Sequence, residues 1–198
     1  MSAIDCNKEM KDYHADEVTL SNDDQKEMRS RRDNGRTRLR NGLTKASKPL
    51  PKEFSSQGSY AMRTMVQDDA SDYDIDDGVY FDKDDLKDDN GNHLEPCDAR
   101  KRVRSALKDD RLAFDAVVKT NCVRQKYPEG YHIDIPVYRR IRSKDFYGNE
   151  IVEYELASGD SWVKSDARKV TRWYNDAVGS ELKEGDVDSL GINGRAIY

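Results

Sequence analysis

Hydrophobic and polar residues alternate most clearly over residues 72–81 and 131–141. In the first stretch Ile75 and Val79 share one face while Asp74 and Asp76 share the other, so the period of two predicts a half-buried strand with a carboxylate face. In the second stretch His132, Asp134 and Tyr138 share one face and Ile133, Ile135 and Val137 the other, so Asp134 is an isolated carboxylate in a largely apolar strand. The turn-forming residues 127–130 predict that this second strand pairs antiparallel with an earlier β-rich run, 114–126.

Three helices and a further strand are predicted around these strands. Ser21, followed by acidic residues, is a typical N-cap for a helix over residues 22–47. Its predicted buried stripe consists of Met28, Gly35, Leu39, Gly42, Leu43 and Ala46. Glycine is unfavourable inside a helix, so the two glycines predict close contact with another backbone. A second helix is expected over residues 96–108, a short strand over 151–157, and a last helix after Ser165.

The order of these elements favours an α+β fold with a mixed or antiparallel sheet flanked by helices. Residues 1–50 are expected to form an N-terminal helical segment that braces the sheet. Residues 51–198 are expected to form the core that carries the sheet, together with the start of the helices that follow it.

Composition excludes several classes of protein. Only 35% of the 198 residues are hydrophobic and the mean hydropathy is −1.01, with no apolar run long enough for a transmembrane helix. The first 17 residues have no apolar stretch of the kind a signal peptide needs. The three cysteines have no Cys-x-x-Cys spacing, which argues against a disulfide framework and a zinc cluster. We expect a cytoplasmic protein with reduced thiols.

The net charge of −5 conceals a strong segregation of charge. Eleven aspartates lie within the 22 residues 68–89, and ten Lys or Arg residues lie within 26–52. Most of these charges are expected on solvated surfaces. The sharper interpretation is that some aspartates hold a divalent metal while basic groups receive the polyphosphate that accompanies it. A calcium-binding EF-hand is excluded, because the sixth position is Asp77 instead of glycine and the twelfth is Lys83 instead of glutamate.

Three features carry candidate chemistry. Asp74 and Asp76 project from the same strand face, so they can share two divalent ions about 3.5–4 Å apart. A charge on Asp134 is costly in an apolar strand unless it is paired or bound to a metal. Gly58 and Ser59 offer a turn at which a phosphate can approach backbone N–H groups and a hydroxyl.

Four blocks in this order carry a resemblance to a known family: Gln57–Ala61, Asp74–Phe81, Tyr131–Tyr138 and Trp162–Arg168. They resemble the bacterial cGAS/DncV-like nucleotidyltransferases of the polymerase β-like superfamily. Those proteins make cyclic di- or oligonucleotide second messengers in anti-phage defence. The resemblance implies that residues 51–198 are a nucleotidyltransferase catalytic core. The family also has a helical second half, which we expect to be missing or truncated here, leaving apolar surface near Trp173, Val187 and Ile192.

The resemblance also implies a site and its partners. It assigns two Mg²⁺ ions, for which Mn²⁺ can substitute, to the catalytic residues Asp74, Asp76 and Asp134. The donor triphosphate is assigned to Gln57, Gly58 and Ser59, and candidate phosphate or base contacts are Lys164, Ser165, Asp166 and Arg168. Nucleoside triphosphates such as ATP or GTP are the expected substrates, and the cyclic product would pass to an effector protein. No membrane and no stable nucleic-acid partner are expected.

Two alternatives remain open from the sequence. One is a module that keeps the fold but only binds a nucleotide or partner, and the other is a template-independent RNA nucleotidyltransferase. The net charge of −5 weighs against the second, because a polynucleotide needs a broad basic surface. Tyr60, Tyr80 and Tyr138 are candidates for stacking on a base, although aromatic residues on strands usually belong to the core.

Overall fold

The computed structural model describes residues 6–66 and 73–181. The helices are α1 (Asn7–Tyr13), continued by one π-helical turn (His14–Val18), α2 (Asn22–Lys45), α3 (Gly58–Met62), α4 (Pro96–Ala106) and α5 (Ala167–Glu181), with a 3₁₀ turn at Lys83–Asp85. The strands are β1 (Glu53–Gln57), β2 (Asp74–Asp82), β3 (Val117–Val118), β4 (Val123–Lys126), β5 (His132–Ile135), β6 (Val137–Lys144), β7 (Glu150–Ser158) and β8 (Ser161–Lys164). They form one mixed sheet, which confirms the predicted α+β class.

Strand β2 is the centre of this sheet. It pairs antiparallel with β1 and parallel with both β5 and β6. The pairs Asp76–Asp134 and Val79–Val137 keep one register across Pro136, whose carbonyl accepts a hydrogen bond of 2.9 Å from the Val79 N–H. The strand predicted over residues 131–141 is therefore two strands in line, divided at a proline that has no N–H to donate.

The sheet forks at Pro136. Strand β5 pairs with β4, whereas β6 pairs with β7, and β8 lies beyond β7. The β6–β7 hairpin ends in a turn that Asp145 holds together, because its carboxylate accepts hydrogen bonds from the backbone N–H groups of Tyr147 and Asn149. Phe146, next to it in this turn, is 97% exposed.

Helix α2 follows the sequence prediction closely. The Ser21 hydroxyl accepts a hydrogen bond from the Asp24 N–H at 3.1 Å, as an N-cap should. Gly42 confirms the predicted close approach, since a Cβ there would lie 2.0 Å from the Ala106 carbonyl oxygen of α4. Gly35 is also buried, but an added Cβ there would meet nothing nearer than a guanidinium nitrogen at 3.8 Å. Ala46 is exposed, because the helix ends at Lys45, and its predicted place in the buried stripe was wrong.

A buried ion pair joins α2 to the sheet. Asp77 of β2 is only 3% exposed, and Arg36 of α2 donates to both of its carboxylate oxygens, at 2.7 and 2.5 Å. The Ser56 hydroxyl of β1 donates to the same carboxylate at 3.2 Å. Alternation along β2 therefore directs Asp77 towards the helix and leaves Asp74 and Asp76 on the opposite face. The division of the chain at residue 50 stays a prediction.

Three local predictions needed correction. The run 114–126 is not one strand, because the chain turns back at residues 119–122 and β3 pairs with β4 in a hairpin. Strands β1 and β8 and helix α3 were not predicted, since each is only four or five residues long. The last helix begins at Ala167, as expected from Ser165, while the second helix ends two residues early at Ala106.

Helix α5 carries an exposed apolar side chain at Trp173, which is 70% exposed. Val187 and Ile192, named with it as an expected apolar surface, lie outside the described residues. Within residues 6–66 and 73–181, no helix combines the length and apolar character that crossing a membrane requires.

Candidate active site

Three predicted carboxylates meet on one face of the sheet. In the parallel register of β2 and β5, Asp74 lies beside His132 and Asp76 lies beside Asp134. Because successive side chains alternate between faces, all four side chains share the face opposite α2. The structure thus brings together the residues that the sequence selected as metal ligands.

A mixed group of donors lies at the centre of this face. One ligand atom from each of Asp74, His132 and Asp134 lies within 4.8 Å of the other two, a spacing suited to a metal ion. The His132 Nε2 atom is 4.0 Å from the nearer Asp74 carboxylate oxygen. The sequence placed His132 on this face without assigning it a role. Its position beside Asp74 depends on the strand register, which the spacing of residues alone does not provide.

Asp134 is paired with an arginine, Arg124, that the sequence alone does not single out. Arg124, its cross-strand neighbour on β4, donates from Nε at 2.8 Å and from a terminal nitrogen at 2.7 Å, one bond to each carboxylate oxygen. This pairing meets the expectation that a charge here must be compensated. A carboxylate offers more lone pairs than the two that Arg124 uses, so the arrangement leaves Asp134 able to ligate a metal.

Asp76 is partly buried beside two other carboxylates. Burial first, and then the neighbouring Asp74 and Asp134 carboxylates, raise its pKa to about 6, although Arg124 opposes the shift. Carboxylates that repel one another in a partly buried site are stabilised by a divalent cation, which is a hard ion that prefers oxygen ligands. The residues present therefore fit a divalent metal ion.

Cys122 lies against this carboxylate group. The thiol is buried, and burial together with its hydrogen bond to Asp134 raises its pKa to about 12. Cys122 therefore stays a protonated thiol at neutral pH.

Gly58 shapes the turn between β1 and α3. Its φ of +62° lies in the left-handed region, and a Cβ would lie 2.5 Å from the Asp76 Oδ2 atom. Glycine is required here by both the backbone conformation and the space. The turn and Asp76 border a cleft of about 350 Å³, which is lined by Gln57, Gly58, Met62, Asp76, Ser165, Asp166, Ala167, Val170 and Thr171.

Gln57 supports this turn from inside the sheet. Its side-chain oxygen accepts a hydrogen bond of 2.9 Å from the Tyr138 hydroxyl. Gly78 makes room for the amide, since a Cβ there would lie 2.0 Å from the Gln57 nitrogen. The amide oxygen is thus used within the protein. Contact of Gln57, Gly58 and Ser59 with a triphosphate stays a prediction.

The residues predicted around the start of α5 separate into two groups. Ser165 and Asp166 line the cleft. Lys164 is exposed and pairs with Glu153 outside it. Arg168 donates to both oxygens of Glu53 at 2.9 Å and lies 3.9 Å from the centre of the Tyr154 ring, so it ties α5 to the sheet.

Two of the three tyrosines considered for base stacking belong to the core. Tyr80 and Tyr138 are both buried and stack on each other, with ring centres 4.6 Å apart and ring planes within 8°. Tyr60 is half-buried, and the Arg32 guanidinium both contacts its ring at 5.4 Å and donates to its hydroxyl.

Most of the other described aspartates of the acidic stretch have partners away from the site. Asp82 pairs with Arg140 and Arg142, Asp84 with Lys87, Asp85 with Lys52 and Asp89 with Lys48, while Asp88 accepts backbone N–H groups in a turn. The solvated-surface interpretation therefore holds for this part of the stretch, and Asp68, Asp69 and Asp72 lie outside the described residues.

Comparison with known proteins agrees with this geometry. Residues 52–138 match the family model described as "Cyclic GMP-AMP synthase DncV-like, nucleotidyltransferase domain". Over this segment the chain is similar to that nucleotidyltransferase domain. The matched residues include β1, the turn at Gly58, and all three predicted metal-binding aspartates, so the resemblance stated from the sequence is confirmed.

Solved structures of DncV-like proteins have the same fold. The CD-NTase CdnG of Bradyrhizobium diazoefficiens, in complex with GTP, is 19% identical with a TM-score of 0.66, over 96% of this chain and 54% of that one. CdnC of E. coli MS115-1 with ATP is 20% identical with a TM-score of 0.60, over 89% and 53%. DncV of Vibrio cholerae, in complex with a linear pppApG intermediate, is 19% identical with a TM-score of 0.61, over 85% and 60%. The chain thus spans between 53% and 60% of the length of these proteins.

Proposed function

We propose that the chain carries the catalytic site of a metal-dependent nucleotidyltransferase that makes a cyclic di- or oligonucleotide second messenger from nucleoside triphosphates. The observation that carries the proposal is the parallel register of β2 and β5, which sets Asp76 beside Asp134 with Asp74 on the same face. The glycine turn at Gly58 adjoins this group, so metal ligands and a place for phosphates border one cleft.

Each part of the site has a defined task in this proposal. Asp74, Asp76 and Asp134 hold the divalent ions, and Arg124 keeps the Asp134 carboxylate in one orientation. Gly58 allows the triphosphate to approach the backbone beside Asp76. When bound, Mg²⁺ or Mn²⁺ would acidify the attacking ribose hydroxyl and neutralise charge on the leaving pyrophosphate. The rigid sheet contributes orientation, which accounts for a large part of the barrier reduction in such transfers.

The finer parts of the proposal are supported by the solved neighbours. CdnG was determined with GTP, CdnC with ATP, and DncV with a linear dinucleotide intermediate. For this chain, ATP, GTP or another nucleoside triphosphate is therefore the proposed substrate. Release of a cyclic product to an effector protein in anti-phage defence, and a cytoplasmic location, belong to the same proposal.

One observation favours a second candidate, a nucleotide-binding module without turnover. Arg124 engages both oxygens of Asp134, and a guanidinium in this place competes with a metal for the same carboxylate. If that pair persists when nucleotide binds, the site would hold a triphosphate without activating an attacking hydroxyl.

The deciding experiment incubates the protein with α-³²P-labelled ATP and GTP and with Mg²⁺ or Mn²⁺, followed by phosphatase treatment and thin-layer chromatography. The expected result is a labelled, phosphatase-resistant product that Asp74→Asn and Asp134→Asn abolish. Asp84→Asn is the matched control, because Asp84 lies in the same acidic stretch but is 81% exposed at its side chain and faces Lys87. Unchanged product from Asp74→Asn would contradict the proposal. Triphosphate binding without any product would support the non-catalytic module, and extension of an RNA primer would support the RNA nucleotidyltransferase.

A further inference from the structure

We propose that His132 is a direct ligand of the metal bound by Asp74 and Asp134, so that this position prefers a first-row transition ion such as Mn²⁺ or Co²⁺ to Mg²⁺. The inference takes the location of the metal site from the proposed function and adds the chemical class of the ion. The resemblance assigned three aspartates and did not include a nitrogen donor.

The strand register supplies the geometry. His132 is the parallel partner of Asp74, and it lies two residues before Asp134 on the same strand, so the three side chains project from one face. Their ligand atoms already lie within 4.8 Å of one another. The imidazole Nε2 atom is 4.0 Å from the Asp74 carboxylate, a separation that a small movement of the half-exposed Asp74 side chain would reduce to that of two ligands on one ion.

The side chains of His132 and Asp74 differ in exposure, so an ion from solvent would reach Asp74 first. His132 is 4% exposed, whereas the side chain of Asp74 is 45% exposed. Asp74 thus presents its carboxylate to solvent, and the imidazole forms the inner wall behind it.

The charges around the group make the nitrogen donor important. Arg124 already neutralises much of the charge on Asp134, which weakens that carboxylate as a ligand. Asp76, the third aspartate, does not belong to this group of three, and its Oδ2 atom is directed towards Gly58 and the cleft. The position at Asp74 therefore depends on a mixed set of oxygen and nitrogen donors.

Donor chemistry then selects the ion. Mg²⁺ prefers a near-ideal octahedron of oxygen ligands and gains little from an imidazole. Affinity for a site with a nitrogen donor rises from Mn²⁺ to Co²⁺ along the first transition series. His132 should therefore increase the affinity for Co²⁺ most, that for Mn²⁺ less, and that for Mg²⁺ least.

The test measures metal binding to the whole chain in the absence of nucleotide. Pulsed EPR of the Mn²⁺-loaded wild-type protein should show hyperfine coupling to a directly bound nitrogen, and His132→Gln should abolish it. In calorimetric titrations, His132→Gln should weaken Co²⁺ binding by about tenfold or more, because loss of even a residue that hydrogen-bonds to a ligand reduces metal affinity on this scale. Its affinity for Mg²⁺ should stay within about twofold of the wild-type value. His93→Gln is the matched control, because His93 Nε2 lies 3.8 Å from an Asp84 oxygen but its side chain is 41% exposed.

Each outcome decides the proposal. Nitrogen coupling in the wild-type protein that survives His93→Gln supports it, even if His132→Gln fails to fold. Absence of nitrogen coupling in Mn²⁺-loaded wild-type protein overturns it, as does an equal loss of Mg²⁺ and Co²⁺ affinity in a folded His132→Gln protein. Because nucleotide is left out, nitrogen coupling in a protein without turnover would retain this inference while the proposed function fails. Turnover without nitrogen coupling would support the proposed function and overturn this inference.

Discussion

Arg124 and Asp134 face each other across the β4–β5 pair and are joined by two hydrogen bonds, at 2.8 and 2.7 Å. The pair lies at the edge of the metal-binding face, where the carboxylate is almost fully buried and the guanidinium is partly exposed. A guanidinium and a metal ion are both cations attracted by Asp134, so the state of this pair bears on metal binding.

Replacing Arg124 with methionine should destabilise the metal-free protein, because the buried Asp134 carboxylate loses its partner. The expected cost is about 1–3 kcal/mol, the penalty for leaving a buried polar group unsatisfied. A divalent metal should then recover more stability in Arg124→Met than in the wild-type protein, since the ion replaces the missing positive charge. Urea denaturation with EDTA and with MnCl₂ measures both effects.

The control for this prediction is Arg111→Met. Arg111 also makes a two-bonded pair with an aspartate, Asp109, but its own side chain is 88% exposed. Its loss should alter stability much less than the loss of Arg124, because an exposed pair is weakened by solvent. Equal metal stabilisation of Arg124→Met and the wild-type protein would show that Arg124 has no influence on the metal site.

Asp77→Asn should reduce stability and leave the chemistry in place. Removing one charge from the buried Arg36–Asp77 pair is expected to cost about 3 kcal/mol. Asp77 projects away from Asp74 and Asp76, so turnover measured well below the melting temperature should stay near the wild-type value. Thermal unfolding and a rate measurement at low temperature test the two parts separately. Loss of turnover equal to that of Asp76→Asn in a folded Asp77→Asn protein would mean that the alternation along β2 is misassigned.

The raised pKa of Asp76 predicts how the stability of the protein changes with pH. Its folded-state pKa, about 6, is above the ordinary value of 3.8, so between these pH values the folded protein binds more protons than the unfolded chain. The stability of the metal-free protein should therefore fall as pH rises from about 4 to about 6 through this group. Asp76→Asn should raise the melting temperature at pH 7 in EDTA and have little effect at pH 4. A lower melting temperature for Asp76→Asn than for the wild-type protein at pH 7 would contradict the raised pKa of Asp76.

Gly58→Ala should disrupt the site more than an ordinary glycine substitution. The added Cβ would be 2.5 Å from the Asp76 carboxylate, and the backbone would be held in the left-handed region. Gly91→Ala is the matched control, because Gly91 has a φ of +86° but no atom within 4 Å of an added Cβ. Both variants should lose about 1–2 kcal/mol, the cost of placing an L-residue in the left-handed region. Only Gly58→Ala should also weaken Mn²⁺ and triphosphate binding, which calorimetry with a non-hydrolysable analogue would detect. Equal binding by the two variants would remove the Gly58 turn from the site.

The sequence predicted the carboxylate face of β2 because alternation with Ile75 and Val79 is visible without any tertiary information. By the same alternation Asp77 lies on the face of Ile75 and Val79, where it pairs with Arg36. The sequence could not predict the pairing of Arg124 with Asp134. A connection over residues 127–130 alone would shift the register of β4 and β5 by one residue from that in the structure. The structure extends that connection through Tyr131, whose carbonyl accepts a hydrogen bond from the Tyr127 N–H. A shift of one residue reverses which face a side chain occupies.

Residues that were assigned by motif alone proved harder to predict. Arg168 follows the motif, but its use depends on Glu53 and Tyr154, which are distant in sequence. The same holds for Lys164, whose partner Glu153 lies on a neighbouring strand. Long cationic side chains select partners through the tertiary fold, so their spacing along the chain indicates little about their contacts.

The division of the sheet at Pro136 has a practical consequence for spectroscopy. Lys144, at the end of β6, lies ten residues beyond Asp134 along the chain. At the rise of an extended strand this corresponds to about 30 Å. The turn beyond it, with its exposed Phe146, belongs to the branch of the sheet that lacks β4 and Arg124. A fluorophore attached at Gly148 would therefore be remote from the carboxylates, and its emission could report a bound fluorescent nucleotide by energy transfer without perturbing the ligands.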